Sequence, residues 1–432
     1  VTAERREYEY PVREQLVSRF RNLLQGFWLI PGAVALALAT LSVVLVQVDE
    51  TGGEKGVGLF PGDAEAARVV LSVVAGSLIT VAGLAFSLTI VTLQLVSSQY
   101  TPRALRSLLG DRTNQVIAGT FVGIFAYCLL ALRSVRADFV PSLAVTGAIV
   151  LGLVGLALLL VFIHHVGQSI KVDEICARVA RETLHAADRL YPDPFGDPIE
   201  TPVVLSGPAR AVHLEATGWV RAIAVDRLAS CLGDAESVEV LVVPGDFVTP
   251  ALPVAAVRPP EAAAAGAGVA FEISSERDLN QDVGFGLRQL TDVALRALSP
   301  SLNDPTTAIT AIGYLGAILE RLAGKREPEP DRRVGERRLL VRVPAPSFER
   351  LLADAFLEIG RHGESDPRVV GAALEALERV GRVAVEVGAD GRVRAVQEVA
   401  TEVSGRALER AESGLERTAL SVRVARIHAL SP

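Results

Sequence analysis

Only three cysteines occur in 432 residues. Cys128, Cys176 and Cys231 stand far apart with no Cys-x-x-Cys pair, which supports neither a disulfide framework nor a thiolate zinc site. The surroundings of any water-soluble part are therefore expected to be reducing. Histidine is also scarce: the six residues His164, His165, His185, His213, His362 and His428 share no ligand spacing, and the tandem pair lies ~100° apart on a helix. No metal site and no cofactor is expected. A Walker A loop, a Gly-x-Ser-x-Gly elbow, a His-Glu-x-x-His pair and a strand-linked dinucleotide fingerprint are all missing; Gly284-Phe-Gly286 is too short to cradle a phosphate. A basic surplus is missing too. The net charge is −7 and arginines alternate with glutamates, as in DRRVGERR, so a nucleic-acid partner is not expected. The opening VTAERREYEYPVREQLVSRF lacks the pattern of a signal peptide, so the first apolar run is expected to remain as a membrane helix.

Against these absences stand long hydrophobic runs. The chain is 50% hydrophobic yet 22% charged, with a mean hydropathy of +0.36, so a lipid-facing part and a water-facing part are expected to coexist. Phe27 to Val48, Val69 to Val96, Gln115 to Leu132 and Phe139 to Ile163 each approach or exceed the ~20 residues that cross a bilayer as a helix. Helices are required there because backbone polar groups must be satisfied within the segment. Ala308 to Leu319 is too short and is assigned to a buried helix. Arginine and lysine crowd the N-terminal arm, the second connection and the exit, which places both termini inside, an N-in/C-in topology. The expected fold class is thus an integral membrane α-helical bundle of four transmembrane helices followed by a cytoplasmic α+β region. The expected boundaries are an arm over 1–26, the bundle over 27–167, a helical connector and proline-rich linker over 168–210, a small β-containing module over 211–258 and a mainly helical domain over 259–432. A multi-pass protein of the bacterial inner membrane follows.

The second span carries the most information. At ~100° per residue, Ser72, Gly76, Thr80, Gly83, Ser87, Gln94 and Ser98 fall along one line, which Ile90 alone interrupts. Two explanations fit: small residues let helix backbones approach and hydroxyls bond across the contact, or the stripe lines a wetted path. Arg103 and Arg106 follow it at the inner mouth. Gly119 and Gly123 in the third span, and Ala144, Ala148 and Gly152 in the fourth, provide further close-packing faces, which permits a homo-oligomer. No acidic or basic residue lies deep in a span, which argues against a proton-coupled carrier.

In the remainder, an amphipathic helix is expected over KVDEICARVARETLHAADRL. Strands are expected at Trp219 to Val225, Val238 to Val243 and LLVRVP. EAAAAGAGVA reads as low-complexity connection, Ser275 to Leu298 as one helical block, and 346–362, 367–381 and 395–418 as further helices. Within the block, the spacings of Asp278 to Asp282, Arg288 to Asp292 and Asp292 to Arg296 suit ion pairs; two carboxylates one turn apart also admit a divalent cation, although the arginines compete. Asp304 before Pro305 reads as a helix N-cap.

The segments GLAFSLTIVTLQLVSSQYTPRALRSLLGDRTNQ and QDVGFGLRQLTDVALRALSPSLNDPTTA together resemble the signature blocks of a bacterial family of predicted membrane proteins of unassigned function, domain of unknown function 2254. The resemblance implies four spans and then a cytoplasmic region, and supplies no substrate or catalytic residue. The expected function is therefore a homo-oligomeric, channel-like protein in contact with the lipid bilayer, passing an ion or small solute. Asp282, Arg288, Asp292, Asn303 and Asp304 are read as the block coupling the cytoplasmic region to the bundle. A membrane-anchored scaffold or sensor, and an enzyme using the acidic residues of 278–304, are the alternatives.

Overall fold

A computed structural model describes residues 29–52, 60–99, 112–169, 171–191, 205–264, 266–334 and 339–431. The chain divides into two units, Val1–Lys171 and Val172–Pro432.

The first unit holds four helices long and apolar enough to cross a membrane: α1 Leu29–Gly52, α2 Ala64–Gln99, α3 Arg112–Ser134 and α4 Ser142–Ser169. The third is the hub, with Ile117, Phe121, Ile124, Tyr127, Cys128 and Ala131 buried. Its glycines explain why. A Cβ on Gly119 would stand 2.6 Å from the Pro31 Cα, and one on Gly123 would stand 3.0 Å from the Ala35 Cα, so α1 and α3 touch backbone to backbone as small-residue faces allow. Several polar groups between helices are bonded. The Ser42 hydroxyl donates to the Tyr127 carbonyl at 2.8 Å, and the Tyr127 hydroxyl donates to the Ala144 carbonyl at 2.9 Å. At the end of α1, the Asp49 carboxylate accepts from the Leu143 and Ala144 amides at 3.0 and 3.2 Å. These are orphan donors of the first turn of α4, so a carboxylate from a distant helix anchors the fourth span.

The second unit begins with α5 Val172–Leu190 and continues as β1 Arg210–His213, β2 Gly218–Ile223, α6 Val225–Cys231, β3 Ser237–Val240, β4 Phe247–Val248, β5 Pro253–Arg258 and β6 Phe271–Ser274. Then come α7 Val283–Ala297, α8 Pro305–Ala323, β7 Asp331–Val334, β8 Leu339–Arg342, α9 Phe348–His362, α10 Pro367–Glu386, α11 Asp390–Arg410 and α12 Gly414–His428. Two sheets form, in the orders β1-β5-β3-β8-β7 and β4-β2-β6. The β3–β8 pair is parallel. Parallel neighbours need a long crossover, and here it contains α7 and α8, so the sheet reaches well beyond residues 211–258. The helices enclose a core that includes Leu290, Leu315, Ile318, Phe356, Leu374 and Val396. Short polar side chains start most of them: Asp282, Asp304, Ser347, Asp366 and Ser413 each accept a hydrogen bond from the first turn of the helix they cap.

Three sequence expectations are corrected here. The helical block starts at Val283, not Ser275, because Asp282 adopts a non-helical backbone and caps it; Asp278 lies in the preceding loop, where its carboxylate accepts from the Asn280 amide at 2.9 Å. The helix expected over 395–418 is two helices, broken between Arg410 and Gly414, where Ser413 restarts the chain. The alanine-rich connection is packed rather than loose: Ala262, Ala267 and Ala270 are buried, and Ala267–Ala270 forms a short 3-10 turn.

Candidate functional site

Helix α2 presents three faces. Ala67, Leu71, Ala75, Leu78, Ala82, Ala85 and Thr92 are buried against the other spans. Ser72, Gly76, Thr80, Gly83, Ser87 and Gln94 are all exposed, on a line about 150° from the buried one. Val73, Leu84 and Val91 form an exposed aliphatic flank beside them. A Cβ added to Gly76 or Gly83 meets nothing within 4 Å. Among the described residues, no other helix of the same unit covers Ser72, Gly76, Thr80, Gly83, Ser87 or Gln94. Part of its polarity is satisfied locally: the Thr80 hydroxyl donates to the Gly76 carbonyl at 2.8 Å. The Gln94 carboxamide and the backbone bared by two glycines stay at the surface. Contrast α4, whose outward residues from Ile149 to Ile163 are Ile149, Val150, Leu153, Val154, Leu156, Ala157, Leu160, Val161 and Ile163, every one aliphatic. Hydrocarbon solvates that face at no cost, whereas a carboxamide in the same place costs several kcal/mol, about 2 to 7 without a partner. The side chain of Ser98, and Arg103 and Arg106 entirely, lie outside the described residues.

The block over 278–304 is a bonded assembly inside the second unit. Asp278 is held by Arg221. Asp282, nearly fully buried, pairs with Arg277 at 2.7 Å and accepts from the Phe285 amide at 2.9 Å; burial raises its carboxyl above the ordinary range, against the pull of the Arg277 charge. Arg277 itself lies over the rings of Trp219 and Phe285, at 5.6 and 5.3 Å. The expected i,i+4 pair of Arg288 and Asp292 is present at 2.7 Å, and Arg288 also reaches Glu358 at 3.0 Å. Asn303 adopts a left-handed backbone, φ 46, which asparagine tolerates, in the turn before Asp304. The Asp304 carboxylate accepts from the Thr307 hydroxyl and amide at 2.6 and 3.1 Å; those bonds hold its carboxyl below the usual range. Gly286 is where α5 crosses α7: a Cβ there would overlap the Thr183 hydroxyl. A cavity of about 210 Å3 opens beside Gly245, Arg277, Asp282 and Arg288.

Each acidic residue of the block thus faces its own arginine or caps a helix, and no three of them converge. Among the described residues no group of three or more His, Cys, Asp and Glu gathers to hold a metal. Sequence reasoning missed two buried cations, Lys325 and Arg392, respectively 2% and 5% exposed. The Arg392 guanidinium donates to the carbonyls of Leu322, Ala323 and Lys325, at the C-terminal end of α8, where positive charge is favoured. A signal was present: Arg392 lies on the same helical face as Val396, Val399 and Val403.

A bundle of four candidate spans joined to a mixed helical and stranded region defines a multi-pass membrane protein. The comparisons make this specific: residues 25–379 match the family described as Predicted membrane protein (DUF2254), and the chain belongs to that family. An uncharacterized protein of Mycobacterium bovis and one of Mycobacterium tuberculosis are each 37% identical over 415 residues, covering 90% of this chain and 79% of theirs. No solved structure matches the chain.

Proposed function

We propose that the chain is the protomer of a homo-oligomeric, channel-like assembly in a bacterial inner membrane, with both termini in the cytoplasm. In this reading the second spans of neighbouring copies turn their polar lines toward one another around a narrow, uncharged pathway. The observation that carries it is the outward exposure of Ser72, Gly76, Thr80, Gly83, Ser87 and Gln94, on a helix whose opposite side is already used for packing. Lipid is a poor neighbour for that line, so another copy or water is the better one. A lining without fixed charge selects weakly; Arg103 and Arg106, following the span, would favour anions at the inner mouth. The 278–304 block, rigid by its ion pairs, would transmit a state of the C-terminal region to the spans.

One observation favours a second reading, an anchored scaffold or sensor without conduction. Thr80 already spends its hydroxyl proton on its own helix, so a dry contact between glycine-rich faces leaves little unsatisfied there. Two experiments decide. Single cysteines at 80, 83 and 87 are introduced in a Cys231→Ser background, since Cys128 and Cys176 are buried and burial pushes the Cys176 thiol up to about 12. In a water-filled path all three react with a membrane-impermeant thiol reagent; in a dry interface they stay silent and instead join copies by disulfides. In planar bilayers the purified protein conducts, and Thr80→Leu and Ser87→Leu reduce conductance at least ten-fold. Absence of current at every voltage and tension removes the conduction reading.

A further inference from the structure

Two surfaces of the second unit that its described residues leave uncovered complement each other. Between α9 and α11 runs a groove of about 450 Å3 with Ala353, Leu357 and Val399 on its floor and Glu349, Glu398 and Glu402 on its rim. Glu398 and Glu402 stand one turn apart, a like-charge spacing that disfavours an isolated helix, and none of the three rim acids makes an ion pair among the described residues. Arg361 and Arg406 line the groove as well; Arg406 points to Glu364, which Arg410 also holds at 2.9 Å, and Arg361 offsets one of the three rim acids, so the open charge is acidic on balance.

The other surface is the outer side of α12. Leu420 and Ile427 are buried on its inner side, while Leu415, Ala419, Val422 and Arg426 form an outward line at i, i+4, i+7 and i+11, with Leu415 84% exposed and Val422 44%. Arg426 is the exposed cation of this line. Leu415 to Arg426 extends ~16 Å, the same as Ala395 to Arg406 along the groove. An apolar ridge that ends in an exposed arginine thus matches in length and in charge an apolar trough flanked by glutamates. The chain's own α12 does not fill its own groove: Gln397 and Thr401 hold the end of α12 through Leu430 and His428, and these two residues lie about 100° around α11 from Glu398 and Glu402 and farther still from Ala395 and Val399.

We propose that the α9–α11 groove receives α12 of a second copy of this chain. The contact joins two different surfaces, so it is heterologous and closes into a ring when the rotation permits. It stands whether or not α2 lines a conducting path. The test uses the full chain in membranes, as two differently tagged copies without Cys231: one carries Val422→Cys, the other Glu402→Cys. Mild oxidation gives a mixed-tag disulfide dimer at least ten times more abundant than either variant gives alone. Adding Glu398→Arg to the groove copy lowers the yield at least five-fold, and Arg426→Glu on the other copy restores it. No mixed dimer, or an equal yield from Val422→Cys alone, overturns the proposal. Gly83→Cys scored in parallel separates the two proposals: disulfides there with none between 422 and 402 sink the groove contact and leave the membrane assembly standing.

Discussion

The outward face of α2 and the buried cations of the second unit treat polarity in opposite ways. Arg392 and Lys325 are almost wholly enclosed, yet each is answered inside the chain: Arg392 by three carbonyls and Lys325 by Asp188 at 3.0 Å. Among the described residues of its own unit, the α2 line is answered by a local hydroxyl bond and nothing further. Where polar groups are completed within one chain, they are accounted for by stability. Where they are left open on a helix that a bilayer must surround, they point to something outside the protomer.

The sharpest break of this comparison comes from Arg392. Arg392→Met keeps the length but strips three buried carbonyls of their donors; at about 1–3 kcal/mol for a buried group left unsatisfied, a loss of about 3 kcal/mol or more follows. Urea unfolding read by Trp219 emission in a Trp28→Phe background measures it, and Arg392→Lys recovers only part because an ammonium cannot reproduce the planar fork. A loss below about 1 kcal/mol would show that these cations are not what completes the α8 terminus. Next comes the membrane unit's own packed seam: Gly119→Leu forces a side chain into the Pro31 backbone, and overpacking of this kind costs about 1–3 kcal/mol, seen as a lower midpoint of thermal unfolding in detergent.

Asp304→Ala is milder. Loss of an N-cap costs about 1 kcal/mol. The effect has a defined pH dependence, because the Thr307 hydrogen bonds depress the folded carboxyl: its contribution is full above the unfolded carboxylate range and is lost as pH falls through the folded value. The wild type and Asp304→Ala therefore converge in acid. Asp282 runs the other way. Burial raises its carboxyl, so stability linked to it is greatest below the unfolded value and declines as pH rises through the folded one; Asp282→Asn, which still caps α7, removes that decline.

Much of the layout was legible because the relevant physics is local. Hydrocarbon thickness sets the length of a span, and Asp304 followed by Pro305 announces a helix start. Asp282 is also a cap, but the helical spacing of Asp278 and Asp282 concealed where α7 begins. The stripe on α2 followed from periodicity, while its direction did not, since Gly76 and Gly83 read the same whether they face a sister helix or the outside. Long-range closures were invisible in the same way. Nothing near Asp49 says that it receives the Leu143 amide, and the parallel pairing of β3 with β8 depends on a crossover that brings residues 237 and 340 together.

The smallest effect on the protomer tests the comparison hardest. Gly83 has open space where a side chain would go, so Gly83→Leu should leave the unfolding midpoint of the detergent-solubilised protomer unchanged, within about 0.5 kcal/mol, while Gly119→Leu in the same helical bundle does not. Yet the isobutyl group introduced by Gly83→Leu would stand in the middle of the polar line and hold a facing α2 away. Disulfide yield between copies at position 80 should then fall at least five-fold, with no matching change in folding. If instead Gly83→Leu unfolds the protomer as Gly119→Leu does, the line is an internal seam like the α1–α3 contact. The difference between the two faces of the bundle would then disappear.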